Sequence, residues 1–126
     1  MATVISGSDN FNTNNVATQT ELDAIPSPVG VGEGQTWQNV GRAFNTDYTN
    51  TSGKTIVVAV GAYNNSGGSA NHFSLMVDGA GMSHASLPNS NAYTETTIWA
   101  FVPNGSTYRL VQNYGTTNFA FWYELR

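Results

Sequence analysis

Cysteine is absent from the 126-residue chain. That excludes disulfides, thiolate nucleophiles and thiol-ligated metals, and it leaves the redox compartment open. Charge is scarce as well: Asp, Glu, Lys and Arg make up 10% of the residues, against about 25% in ordinary globular domains. The four basic residues, Arg42, Lys54, Arg109 and Arg126, are dispersed in a chain of net charge −4. Nucleic-acid affinity rests on clustered Lys and Arg meeting phosphates, so no nucleic-acid partner is expected. No apolar run approaches the roughly 20 residues of a membrane-spanning helix, and no membrane insertion is expected. No basic stretch followed by an apolar block opens the chain, so no secretory leader is expected. Strong helix formers are too sparse for a helical bundle.

Asn, Thr, Ser and Gly fill the gap left by charge, with 13 Gly in all. Thr and Tyr fit a pleated surface and Asn and Gly build turns, so the composition favours β-structure. Thr36–Val40, Thr55–Tyr63, His72–Asp78, Ala92–Val102, Thr107–Gln112 and Phe119–Leu125 read as strands. Asn50-Thr51-Ser52-Gly53, Asn64 to Gly68, Asp78-Gly79-Ala80-Gly81 and Pro103-Asn104-Gly105 supply turns between them. Short strands at regular spacing predict an all-β fold, an antiparallel β-sandwich or jelly roll, over residues 29–126.

Residues 1–28 differ. A polar run from Ser6 to Asn15 leads to Pro26-Ser27-Pro28, which disfavours helix and marks a boundary. Thr18 and Glu21 have capping-box spacing, predicting one or two helical turns. The apolar residues of this part, among them Val4, Ile5, Phe11, Leu22 and Ile25, are too few to fold alone. They are expected to anchor an extended N-terminal arm to a neighbouring subunit or larger particle.

Constellations for chemistry are thin. His72 and His84 have no second ligand at metal spacing, and no metal or cofactor is expected. Asn10, Asn12, Asn14 and Glu21 fall on an EF-hand frame, but its first position lacks Asp and Asn15 stands where Gly is needed. Glu95 with Glu124 is the one carboxylate pair to examine for glycoside chemistry, and no catalytic residue is expected. Trp37, Phe73, Phe101 and Phe121 are expected in the core. Alternation at the C-terminus sets Phe119, Phe121, Tyr123 and Leu125 on one face and Trp122 on the other, so at least one large aromatic must leave the core. Tyr, Asn, Ser and Gly in loops offer adaptable polar recognition. On that ground Tyr63, Asn64, Asn65, Asn89, Asn91 and Tyr93 are the candidate ligand-binding residues.

A Gly-rich lead-in is followed by Gln35-Thr36-Trp37-Gln38, an Arg42-Ala43-Phe44 segment, Tyr48-Thr49-Asn50-Thr51, a Val-rich strand and Trp122-Tyr123-Glu124-Leu125. From Gly30 to Arg126 this pattern resembles the C-terminal β-sandwich domain of bacteriophage and prophage tail-fibre proteins. The opening Met1-Ala2-Thr3-Val4-Ile5-Ser6-Gly7 also resembles openings of phage fibre-type proteins. The resemblance implies a homotrimer displayed on a virion, with loops facing the host. Trp37 and Tyr48 resemble core positions, and Asn50 with Gly53 a tight turn. No catalytic residue comes with it. A protein made without a leader still reaches the exterior as part of a virus particle. The expected function is a non-enzymatic short tail-fibre or adhesion protein that binds a host-surface glycan or protein. The alternative is a capsid decoration protein, held to other virion proteins by its arm. A polysaccharide-degrading enzyme is the third reading.

Overall fold

The computed structural model describes residues 18–24, 30–65, 69–115 and 118–126, with the side chain of Leu22 left out. One short helix, α1 (Gln19–Ala24), precedes eight strands: β1 (Trp37–Asn39), β2 (Tyr48–Thr49), β3 (Ile56–Asn64), β4 (Asn71–Val77), β5 (Ala80–Leu87), β6 (Thr94–Val102), β7 (Thr107–Tyr114) and β8 (Asn118–Leu125). The capping box forms as its spacing predicts. Thr18 Oγ1 accepts from the Glu21 amide at 3.1 Å, and Glu21 Oε2 accepts from the Thr18 amide at 2.8 Å.

The strands make two four-stranded sheets, ordered β1-β8-β3-β6 and β2-β7-β4-β5. Every pairing is antiparallel. The first strand pairs with the last, the second with the seventh, the third with the sixth and the fourth with the fifth. The chain is thus one long nested hairpin rolled up so that alternate pairs fall in opposite sheets. This is jelly-roll connectivity, and the expected fold class holds.

Alternation decides the core. β3 turns Ile56, Val58, Val60 and Ala62 inward, and β6 adds Ile98, Ala100 and Val102. From the other sheet Phe73, Leu75, Val77, Leu87, Tyr108 and Leu110 meet them. Each large apolar side chain so buried contributes about 1.5–3 kcal/mol. Phe73 takes its expected place. Trp37 and Phe101 do not: both are exposed. Phe101 pairs with Val57 and Trp37 with Leu125, on the outer side of the sheet whose inner side is already filled by Val58, Val60 and Ile98. Tyr48 is half-buried and packs on the core.

From Phe121 to Leu125, β8 alternates as read, but with its faces reversed. Trp122 is buried, opposite Val60, while Phe121 and Tyr123 lie opposite Gly61 and Ala59 on the outer side. A register shift between Gly61 and Ala62 then returns Phe119 to the core, where its ring stacks on Phe44 at 4.3 Å.

The reversal takes Glu124 inside, where it is fully buried. Its Oε1 accepts from Tyr108 Oη at 2.6 Å, Arg42 Nε at 3.1 Å and Trp122 Nε1 at 3.2 Å. Arg42 Nη2 reaches Oε2 at 3.3 Å. Arg126 Nε lies 3.2 Å from Oε2, a charge contact out of line for a hydrogen bond. Burial pushes the Glu124 carboxyl up, but hydrogen bonds from Arg42 and Tyr108 and the charges of Arg42 and Arg126 outweigh it, so its pKa is lowered. Burial first, and then the bond to Glu124, raises the Tyr108 phenol.

Two strands escape the sequence reading. β2 is only two residues long, and β5 is a Gly-, Ser- and Ala-rich segment (AGMSHASL) with little β-propensity. Only Asp78 and Gly79 form the turn before β5, with φ of 49° and 81°. Positive φ at both positions gives the I′ hairpin that matches strand twist. Asn50 and Gly53 form the expected tight turn. The fully buried Asn50 donates from Nδ2 to the carbonyls of Lys54 (2.7 Å) and Val102 (2.9 Å), and Gly53 has φ +83°.

Candidate functional site

The nested pairing sorts the connections to two ends. At one end, the base, Thr36 and Arg126 exchange backbone hydrogen bonds at 2.9 and 3.1 Å, tying the lead-in to β1 against the end of β8. The β2–β3, β4–β5 and β6–β7 connections share this end. The opposite end, the tip, carries the β3–β4, β5–β6 and β7–β8 connections. All six candidate ligand-binding residues sit in or beside the first two of these.

The structure brings some of them together. Tyr63, near the end of β3, stacks on Tyr93, just before β6, at 5.3 Å and 29°. Tyr93 Oη donates to Glu95 Oε2 at 2.8 Å, and that bond raises the phenol pKa. Tyr93 is therefore a fixed, protonated ring with an exposed face. Asn65, Asn89 and Asn91 are exposed around it. Asn64 turns inward instead: Nδ2 donates to the Ser69 carbonyl at 2.9 Å, and Oδ1 accepts from Asn71 Nδ2 at 2.5 Å. It fastens the loop and presents nothing to solvent. Val4, Ile5, Phe11 and Ile25 lie outside the described residues, as does the Leu22 side chain.

A second group at the tip has no counterpart in the sequence reading. His72 on β4 stacks between His84 of β5 (6.0 Å, 7°) and Tyr114 of β7 (5.8 Å, 17°). Cross-strand neighbours make this row, and no spacing within one strand could have disclosed it. Beneath it Ser74 Oγ donates to Asn113 Oδ1 at 2.9 Å and lies 2.8 Å from His84 Nδ1. The Ser74 hydroxyl proton is engaged with Asn113, which leaves its oxygen to accept from His84 in the tautomer that carries a proton on Nδ1. The buried Ser74 is a strut under the rings.

Glu95 and Glu124 do not face each other. Glu124 is inside, and Glu95 is exposed at the tip beside Tyr93. Among the described residues, no three His, Cys, Asp or Glu side chains gather as a metal site. A cavity of about 210 Å³ at the base is lined in part by Asp47, Asp78 and Arg109. There Asp78 Oδ1 accepts from the Thr107 amide at 2.9 Å and Arg109 Nη1 stands 3.4 Å from Asp47, while the buried Arg109 Nε has no hydrogen-bond partner. Hydrogen bonds from Ser106 and Thr107 lower the Asp78 pKa.

Comparison with known proteins gives no match. No family model matches the chain, and neither does any curated protein or solved structure. The functional reading therefore rests on the residues themselves.

The remaining surface of note is a flank. Trp37, Tyr123, Trp99 and Phe101 share the outer side of the β1-β8-β3-β6 sheet and are all exposed. Trp37, Trp99 and Phe101, strand aromatics of the kind expected in the core, stand outside it. Ile98-Trp99-Ala100-Phe101-Val102 is apolar on both faces of one strand, and a two-layer fold can cover only one of them.

Proposed function

We propose that the chain is a non-enzymatic virion protein, a short tail-fibre or adhesion protein that binds a host-surface glycan or protein with the tip of its jelly roll. The observation that carries the reading is the opposition of the two ends. The chain reaches the sandwich at the base, where Thr36 pairs with Arg126. The exposed Tyr93, Asn65, Asn89 and Asn91 stand in the tip connections, with Tyr63 stacked on Tyr93 on one sheet and the His84–His72–Tyr114 row on the other. Attachment at one pole and recognition at the other is what a displayed binding domain requires. Rings with an apolar face and a polar edge suit sugar and protein ligands alike.

A capsid decoration protein is the second reading, favoured by the aromatic flank, which suits lateral packing in a shell. Virions lacking the protein separate the two. Particles that assemble and withstand heat but fail to adsorb support adhesion; particles that burst or lose their genome support decoration. Particles unaffected in both respects would sink the proposal. Imaging the protein on the intact particle, at tail or head, gives an independent answer.

A further inference from the structure

We infer that the outer side of the β1-β8-β3-β6 sheet is a self-association surface, and that its occupant is a second copy of this chain. The inference stands on the geometry of the flank and not on the virion reading.

The floor of this surface is β3, whose outward residues Val57, Ala59 and Gly61 are small. Walls rise on both sides. On one side Trp99 and Phe101 of β6 stand edge to face at 5.5 Å, 56% and 51% exposed. On the other, Trp37 of β1 and Tyr123 of β8 are 54% and 37% exposed. Trp37, Ala59 and Tyr123 line a shallow, open hollow of about 250 Å³ whose surface is almost entirely carbon. A ridge of two projecting rings thus runs beside a hollow of matching chemistry. A surface that carries both the knob and the hole can pair with itself.

Area points the same way. An aromatic side chain carries roughly 150–250 Å² of surface, so four rings at about half exposure leave roughly 300–500 Å² to water. Val57, Phe121, Leu125 and the exposed Met82 border them. Together they approach the roughly 800 Å² per partner of a standard interface.

Charge selects the partner. The chain carries a net charge of −4, so two copies repel wherever their acids meet. On this face the single outward acid among the described residues is Glu95, at the tip end and already bonded to Tyr93. The lower part of the face, from Trp37 to Trp99, is uncharged, and there a like-charged copy approaches at least electrostatic expense.

Sedimentation equilibrium of the full chain over a dilution series tests the inference. The expected result is an oligomer that persists in high salt, as apolar contacts do. Trp99→Ser and Ala59→Glu should each abolish it, while Tyr114→Ser on the opposite sheet leaves it intact. Of the three tryptophans only Trp122 is buried within one chain. Dissociation should therefore shift the emission to the red as Trp37 and Trp99 become wet. Trp99 is exposed in the single chain, so its removal spares the fold if Ala59→Glu does not, and thermal midpoints verify this. A wild-type chain monomeric at every concentration, or an oligomer that survives both substitutions, overturns the inference. Either result leaves the adsorption test of the tip unaffected.

Discussion

The phenyl ring of Phe121 lies across Gly61, so close that a Cβ on Gly61 would stand 2.4 Å from the ring's Cε1. Gly61 has no positive φ, and its backbone would accept alanine. The ring, not the backbone, requires the glycine. Gly61→Ala should therefore push Phe121 off the sheet and destabilise by about 1–2 kcal/mol, net of the gain from a stiffer unfolded chain. In a Phe121→Ala background the same change should be neutral or stabilising. A double-mutant cycle by urea denaturation reads the coupling, and a cost that is equal in both backgrounds would refute it.

Arg42 and Glu124 set the acid limit of the fold. The Glu124 carboxyl has a folded pKa below its usual 4.5. Its contribution is fully present above the unfolded value and is lost as pH falls through the folded one. Glu124→Gln should be less stable than wild type at pH 7, by an amount near the lower end of the ~3–5 kcal/mol for breaking a buried pair. The gap should hold down to about pH 4.5 and then narrow on acidification. Thermal unfolding against pH measures it, and a gap that widens in acid contradicts the assignment.

Asn50 staples the β2–β3 turn to β6. Asn50→Ala leaves the carbonyls of Lys54 and Val102 without this donor, at about 1–3 kcal/mol for each that stays unsatisfied. The urea midpoint should fall with the slope unchanged. Asn50→Asp should be no better, since a carboxylate meets the same two carbonyl oxygens. Full stability in the aspartate variant would show that the amide is not the staple.

At the tip, Tyr63→Ala and Tyr93→Ala should each reduce adsorption to host cells at least tenfold while thermal stability changes little, because Tyr93 is exposed and Tyr63 half-buried. Asn64→Ala should do the reverse, lowering stability through its bonds to Ser69 and Asn71. Adsorption kinetics beside melting curves separate the two outcomes.

Much of the sandwich was legible because period-two alternation and Asn-Gly turn chemistry act locally. β4 shows it: Phe73, Leu75 and Val77 went inward as read. β8 shows the limit. Its alternation held from Phe121 to Leu125 with the facing reversed and broke at Phe119, because a count of apolar residues cannot anticipate a register shift, nor that Arg42 and Tyr108 will welcome Glu124 inside. β5 was missed because pairing with β4, and not its own composition, makes it a strand. At the tip, residue type alone singled out Tyr63 and Tyr93, which the fold brings together. The His72–His84–Tyr114 row was not legible, since its members come from three strands.

The nested pairing also fixes an order of events in time. Only β4 and β5 are joined by a tight hairpin; every other partner pair encloses the pairs within it. Loop-closure entropy rises with the enclosed length, so the Asp78–Gly79 turn is the cheapest place to begin and the union of β1 with β8 is the last. Substitutions at Gly79 should therefore slow folding, with φ-values well above those at Trp37 or Leu125. A jelly roll of this kind is wound from its middle outward, and its first and last strands come to rest side by side only when the winding is done.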